Sequence, residues 1–174
     1  MAIHFMLRGY IPFRYMSSKM INIRVATWLD AQKITVLWGK MYLEILTRPA
    51  MRLEYANLKN FFLKLLVRMD SPEWHVIVAE DDGEIVGFMM SLLQWPPYNP
   101  CHVIAFTEAL YVEPDYRDNG LYKKLIQESM EWGEKNNVRE KEFVSPYDKT
   151  MIEFYDRMGF EPVQVVYRQK SKEA

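Results

Sequence analysis

The sequence predicts one α/β domain built on a mixed sheet with helices on both faces, and three observations point to it. Segments of period two alternate with segments of helical period in the order β-α-α-β-β-β-α-β-α-β. Residues 84–93 are apolar at successive positions (Ile85, Val86, Phe88, Met89, Met90), which suits a strand covered on both sides. At 174 residues, 49% of them hydrophobic and 26% charged, the chain can bury a core of its own.

The first 19 residues stand apart. They carry Arg8, Arg14 and Lys19 with no acidic residue, and aromatics at Phe5, Tyr10, Phe13 and Tyr15. No apolar core of a secretory signal is present, and Pro12 interrupts any presequence-like helix. The expectation is an N-terminal extension or arm over 1–19 and a single domain over 20–174. Residues 21–26 alternate as a first strand. Asp30 is placed as the N-cap of a helix with Ile34, Leu37, Trp38, Met41 and Ile45 on one face. The Thr-Arg-Pro sequence at 47–49 stops it. A second helix carries Leu58, Phe61, Phe62, Leu65 and Met69 as its stripe. Lys40, Arg48, Arg52, Lys59, Lys64 and Arg68 are spread over this helical pair and read as a solvated face.

Ser71-Pro72 leads into a strand at 74–80, a tight turn at Asp81-Asp82-Gly83, and the antiparallel partner at 84–93. Residues 94–100 (Gln-Trp-Pro-Pro-Tyr-Asn-Pro) form a stiff loop displaying Trp95 and Tyr98. A strand over 102–112 precedes a turn holding Arg117, Asp118, Asn119 and Gly120. The next helix places Tyr122, Leu125, Ile126, Ser129, Met130 and Gly133 on one face and ends at Asn136-Asn137. A short strand at 142–145 follows, then a helix capped by Asp148 with Met151, Phe154, Tyr155 and Met158 inward. Gly159 suits a left-handed C-cap, and 160–168 returns as a last strand.

The totals exclude several classes. Lys plus Arg is 22 and Asp plus Glu 23, a net charge of -1, which gives no support to nucleic-acid binding by bulk charge. The lone Cys101 excludes an internal disulfide and a multi-cysteine zinc site, and fits a reducing, cytoplasmic setting. His4, His75 and His102 are not spaced as metal ligands, so no metal is expected. No apolar run approaches the roughly 20 residues that span a bilayer, so no membrane partner is expected either. The turn after residue 112 is the strongest candidate site. A helix that starts there has unpaired N–H groups and a positive dipole end, which attract phosphate. Gly120 permits close backbone approach, and Arg117 could neutralise an anion.

Two stretches carry a family resemblance. Leu110-Tyr-Val-Glu-Pro-Asp-Tyr-Arg-Asp-Asn-Gly-Leu-Tyr122 resembles the strand and R/Q-x-x-G-x-G/A turn of the GNAT superfamily of N-acetyltransferases. Phe154-Tyr-Asp-Arg-Met-Gly-Phe160 is similar to that family's F-Y-x-x-x-G-F. The resemblance implies a GNAT-like fold and acetyl-CoA as acyl donor. Leu110, Tyr111 and Val112 would lie along the pantetheine arm. Arg117, Asp118, Asn119, Gly120, Leu121 and Tyr122 would surround the pyrophosphate. Tyr122 stands where the family has Gly or Ala, and its helical period directs it inward with Leu125 and Ile126. Glu108 is the implied general base, expected on the same strand face as Leu110 and Val112. Ala109 replaces the second acidic residue that relatives often carry. Tyr155 is the implied acid toward the thiolate. Trp38, Tyr42, Trp95 and Tyr98 are expected to wall the site of an amine acceptor, a small molecule or a protein. A homodimer is compatible with the aromatic and Met-rich composition. Two other readings stay open: a catalytically silent domain of this fold acting as a binding module, and a different acyl donor.

Overall fold

The turn at Asp82 and Gly83 sets the register of the sheet. These residues adopt φ of 51° and 82°, the paired left-handed conformation whose twist matches the strands of a tight hairpin. The computed structural model describes residues 21–46, 57–143 and 149–163. Around this hairpin lies a five-stranded sheet made of β1 (Asn22–Val25), β2 (Trp74–Asp81), β3 (Glu84–Gln94), β4 (Ile104–Val112) and β5 (Glu140–Phe143), in that order across the sheet. The first four strands pair antiparallel, and β5 joins β4 in parallel. A parallel step needs a crossover, and the helix α3 (Leu121–Lys135) supplies it.

Each face of the sheet has its own core. Helices α1 (Ala31–Leu46) and α2 (Leu58–Met69) set Ile34, Leu37, Phe61 and Leu65 against Val76, Val78, Phe88, Met90, Ala109 and Tyr111. On the opposite face, Leu121 and Leu125 of α3 meet Ile77, Ala79, Val86, Met89 and Val112. The helix α4 (Lys149–Arg157) joins this second face. Its Phe154 ring lies 6.5 Å from Tyr122, and its Tyr155 ring 5.5 Å from Phe143. Ile34, Leu37, Leu65, Leu121 and Leu125 are fully buried. At about 1.5–3 kcal/mol per buried side chain, these contacts outweigh the surface ion pairs described below. Strand β3 is buried from Ile85 to Ser91, as its unbroken apolar run predicts.

Several boundaries depart from expectation. Asp30 is not the N-cap of α1 but the last residue of a 3-10 turn, Trp28–Asp30, that precedes it. Its carboxylate accepts from the N–H and hydroxyl of Thr27, at 2.7 and 3.1 Å, and from Arg24 Nη1 at 2.7 Å. A buried carboxylate requires such a partner, and the Arg24 guanidinium holds its carboxyl below the usual range. Strand β5 starts at Glu140 rather than 142, and 160–163 carry no strand. The arm over 1–19, the stop at 47–49, Arg48, Arg52, Asp148 and residues 164–168 lie outside the described residues. Nor are the basic residues of α1 and α2 uniformly solvated, because Lys40 pairs with Glu113 and Arg68 with Glu108.

His75 makes the fold sensitive to acid. It is buried on the α3 face and stacked on Trp132 at 4.7 Å and 5° between planes. Its Nε2 is buried without a partner among the described residues. Burial, and then the Lys135 charge, push its pKa down to about 4 from 6.5. The unfolded chain therefore takes up a proton between pH 6.5 and 4 that the folded chain refuses. Stability is fully present above pH 6.5 and is lost as pH falls through that window, by about 3 kcal/mol in all. Urea midpoints measured from pH 7.5 to pH 4 should fall for the wild type. They should fall less for His75→Phe, which keeps the stack but has no proton to gain; equal slopes would remove His75 as the cause.

Candidate active site

The pairing of β3 with β4 contains one irregularity, and it falls on Glu108. Met90 lies opposite Ala109 and Ser91 opposite Thr107, so Glu108 is an extra residue on β4. A bulge of this kind shifts the alternation of side chains by one position. Leu110 and Val112 lie on the α3 face. Thr107 also faces α3, its hydroxyl 3.2 Å from that of Ser91, which is 3.0 Å from that of Ser129. Glu108 is turned to the opposite face. It accepts from Arg68 Nη1 of α2 at 2.9 Å, beside Ala109 and Tyr111. The expectation that Glu108 shares a face with Leu110 and Val112 is therefore corrected, and the bulge is the reason.

On its other edge β4 pairs with β5. The parallel ladder runs from Ile104 opposite Glu140 to Thr107 opposite Phe143. Glu108, Ala109, Leu110, Tyr111 and Val112 lie past the last described pair. Beyond Val112 the chain enters a 3-10 turn, Pro114–Asn119, and then Gly120 at φ 69° and ψ 15°. That left-handed conformation is natural for glycine and strained for other residues. A Cβ added at Gly120 would meet nothing within 4 Å, and no side chain caps α3. Asp118 and Asn119 are exposed, while Leu121 is buried. Tyr122 is half-buried and packs with Leu121 and Leu125, so its side chain runs inward as the helical period predicts.

Arg117 of this turn is held from two sides. Its Nη2 donates to both carboxylate oxygens of Glu44 at 2.8 Å, and its Nε to the Val112 carbonyl at 2.8 Å. The guanidinium lies over the Tyr111 ring at 5.3 Å. Tyr111 donates to the same Glu44 at 3.1 Å. Arg117 thus ties the turn to α1.

Tyr155 is set by the end of α4. The Phe160 N–H bonds to the Tyr155 carbonyl and the Gly159 N–H to the Asp156 carbonyl, both at 3.0 Å, with Gly159 at φ 83°. This is a Schellman C-cap, and its usual apolar contact is the Tyr155–Phe160 ring pair at 5.7 Å. The Phe-Tyr-x-x-x-Gly-Phe pattern therefore has a structural cause: tyrosine, glycine and phenylalanine occupy the three positions the cap requires. Burial, and then the proximity of Tyr122, push the Tyr155 hydroxyl up to about 12. It stays protonated at neutral pH and can donate a hydrogen bond.

The remaining candidates separate into two groups. Trp38 and Tyr42 come together on α1 with ring centroids 4.9 Å apart, and Trp38 stacks on Phe61 of α2 at 4.3 Å. Trp38 is part of the α1–α2 packing. Trp95 and Tyr98 lie exposed on the β3–β4 loop, at the end of β4 away from the turn. His102 bonds to Glu140 at 2.8 Å, and Cys101 is exposed. Among the described residues no three His, Cys, Asp or Glu side chains gather as a metal site, and no helix is long and apolar enough to cross a membrane. Arg68 and Glu44 were not singled out from the sequence. Their partners lie 40 and 73 residues away, beyond any local pattern.

Among the described residues, β4 carries a bulge at Glu108 and runs into an open glycine turn at the start of α3. The chain belongs to the acetyltransferase (GNAT) family, which it matches over residues 32–160. It is 32% identical over 108 residues to an uncharacterized N-acetyltransferase of Methanocaldococcus jannaschii, a match covering 62% of this chain and 47% of the relative. The chain thus spans about half the length of that relative. It is 27% identical over 145 residues to a peptidyl-lysine N-acetyltransferase of Salmonella typhimurium, covering 81% of this chain and 83% of the relative. In fold it is similar to a predicted acetyltransferase from Clostridium acetobutylicum solved with acetyl-CoA, with a TM-score of 0.72 and 16% identity, over 87% of this chain and 96% of the other.

Proposed function

We propose that this chain is an N-acetyltransferase that moves an acetyl group from acetyl-CoA to an amine on a small molecule or a protein. It would do so in the cytoplasm, with residues 20–174 as the working domain and 1–19 as an extension. One observation carries the reading: a bulge turns Glu108 out toward α2 on the strand that runs directly into an open glycine turn at the start of α3.

The described residues fit the cofactor. The backbone of Leu110, Tyr111 and Val112, which has no partner on the β5 side among the described residues, suits strand-like pairing with a pantetheine amide. The backbone N–H groups of the turn from Arg117 through Gly120 to Tyr122 suit a pyrophosphate, with Asp118, Asn119 and Leu121 shaping the turn. When bound, acetyl-CoA supplies the activated acyl carbon and a thiolate leaving group. An alkyl ammonium has a pKa of about 10 and must lose its proton before it can attack. Glu108, on the α1–α2 face, takes that proton directly or through water. Tyr155 donates a hydrogen bond toward the sulfur as negative charge gathers there. Tyr42 and Trp38 of α1, and the exposed Trp95 and Tyr98 of the β3–β4 loop, would be the aromatic contacts of an acceptor.

The test begins with binding. A ligand that binds only the folded state stabilises it by about 2.7 kcal/mol at 100 times its Kd, or about 5–10 °C in Tm for a domain of this size. Acetyl-CoA should produce that shift, and Tyr122→Gly should match or exceed it. A shift in neither protein overturns the cofactor assignment. A shift without thiol release across a panel of amines would favour a silent binding module, the reading that Tyr122 in the family's Gly or Ala position supports.

A further inference from the structure

We propose that Arg68 is a positioning residue that holds Glu108 in its working orientation, together with the Trp74 ring. The inference rests on Glu108 as the base. A bulge only re-aims a side chain; it does not fix its rotamer, and a glutamate that is 37% exposed would sample several. Here α2 supplies the restraint. Arg68 Nη1 lies 2.9 Å from each of the two Glu108 oxygens, so the carboxylate is gripped along one edge. The guanidinium is itself held, with its carbon 4.1 Å from the Trp74 ring centroid, an arrangement that suits the flat, weakly hydrated guanidinium. Trp74 packs in turn against the α1–α2 core. A continuous line of contacts thus runs from the core through Trp74 and Arg68 to the carboxylate.

The geometry leaves the base able to act. Each carboxylate oxygen has two acceptor sites, and a single nitrogen uses one on each. The outer pair remains for a water or the acceptor ammonium. Arg68 keeps its proton throughout, so the proton leaving the amine passes to Glu108 and then to solvent. An ion pair this exposed adds little to stability, so removing Arg68 should leave the thermal midpoint near wild type.

A mutant cycle read by thiol release from acetyl-CoA tests the role. Arg68→Met should lower kcat about 10- to 100-fold, the range that misplacement of a catalytic group produces, with the KM for acetyl-CoA unchanged. Arg68→Lys, which keeps the charge but not the planar stack, should fall between the two. The decisive member is Arg68→Met combined with Glu108→Gln. If Arg68 acts through Glu108, the double variant should be no slower than Glu108→Gln alone. Wild-type kcat in Arg68→Met, or a double variant slowed by the product of the two single effects, would overturn the positioning role while Glu108 remains the base. Wild-type kcat in Glu108→Gln would overturn the base and Arg68 with it. Absence of turnover in the wild type with every amine would overturn the transferase reading on which both rest.

Discussion

Replacing Glu108 by Gln is expected to lower kcat by ~10²–10⁴-fold and to leave acetyl-CoA binding near wild type. The amide has the size and shape of the carboxylate but cannot take a proton from an ammonium. The effect should be confined to kcat because Glu108 faces α1 and α2, whereas Leu110, Val112 and the turn lie along the proposed cofactor edge. Raising the pH should return part of the lost rate, because more of the amine is then already deprotonated. Steady-state kinetics on Glu108→Gln from pH 7 to pH 9.5 checks both expectations. Wild-type turnover at pH 7 would remove Glu108 from the mechanism.

Tyr155→Phe is the second large effect. The hydroxyl is lost, and the ring contacts with Phe143, Phe154 and Phe160, which lie at 5.5, 5.4 and 5.7 Å, are kept. The C-cap is made by backbone groups of Tyr155, Asp156, Gly159 and Phe160, so the end of α4 should survive. Loss of one donor at a developing anion typically costs ~10²–10³ in kcat. A fall of that size, with an unchanged Tm and an unchanged KM for acetyl-CoA, is the expected result. Because the hydroxyl is pushed up to about 12, the rate should show no loss from its ionisation up to pH 9.5. Near-wild-type kcat in Tyr155→Phe would assign this tyrosine to packing alone.

These two residues also mark what was legible in the sequence. Tyr155 was found through a motif whose spacing is set locally: the helix end needs a left-handed glycine four residues on and an apolar residue after it. The Asp82-Gly83 hairpin and the helical period that turns Tyr122 inward were legible for the same reason. Glu108 was found by position, but its direction was not. Nothing in Phe-Thr-Glu-Ala announces a bulge, because the extra residue is defined by what β3 offers opposite it. The pairings of Arg68 and Glu44 are not legible in the sequence, because their partners are brought near only by packing helices onto the sheet. Arg117 lies in the turn motif, and its pairing with Glu44 of α1 is again a long-range contact that no local rule reads. Local rules placed the elements, and long-range pairing decided which way the charged side chains point.

Acetyl transfer between the bulge and the turn can be read from its product. The protein would be incubated with isotopically labelled acetyl-CoA and a panel of amines that includes lysine peptides and amino sugars, and the products analysed by mass spectrometry. The predicted result is label on the nitrogen of at least one amine, formed with the wild type and reduced at least 100-fold with Glu108→Gln. Binding of acetyl-CoA with no labelled amine from any member of the panel would contradict it.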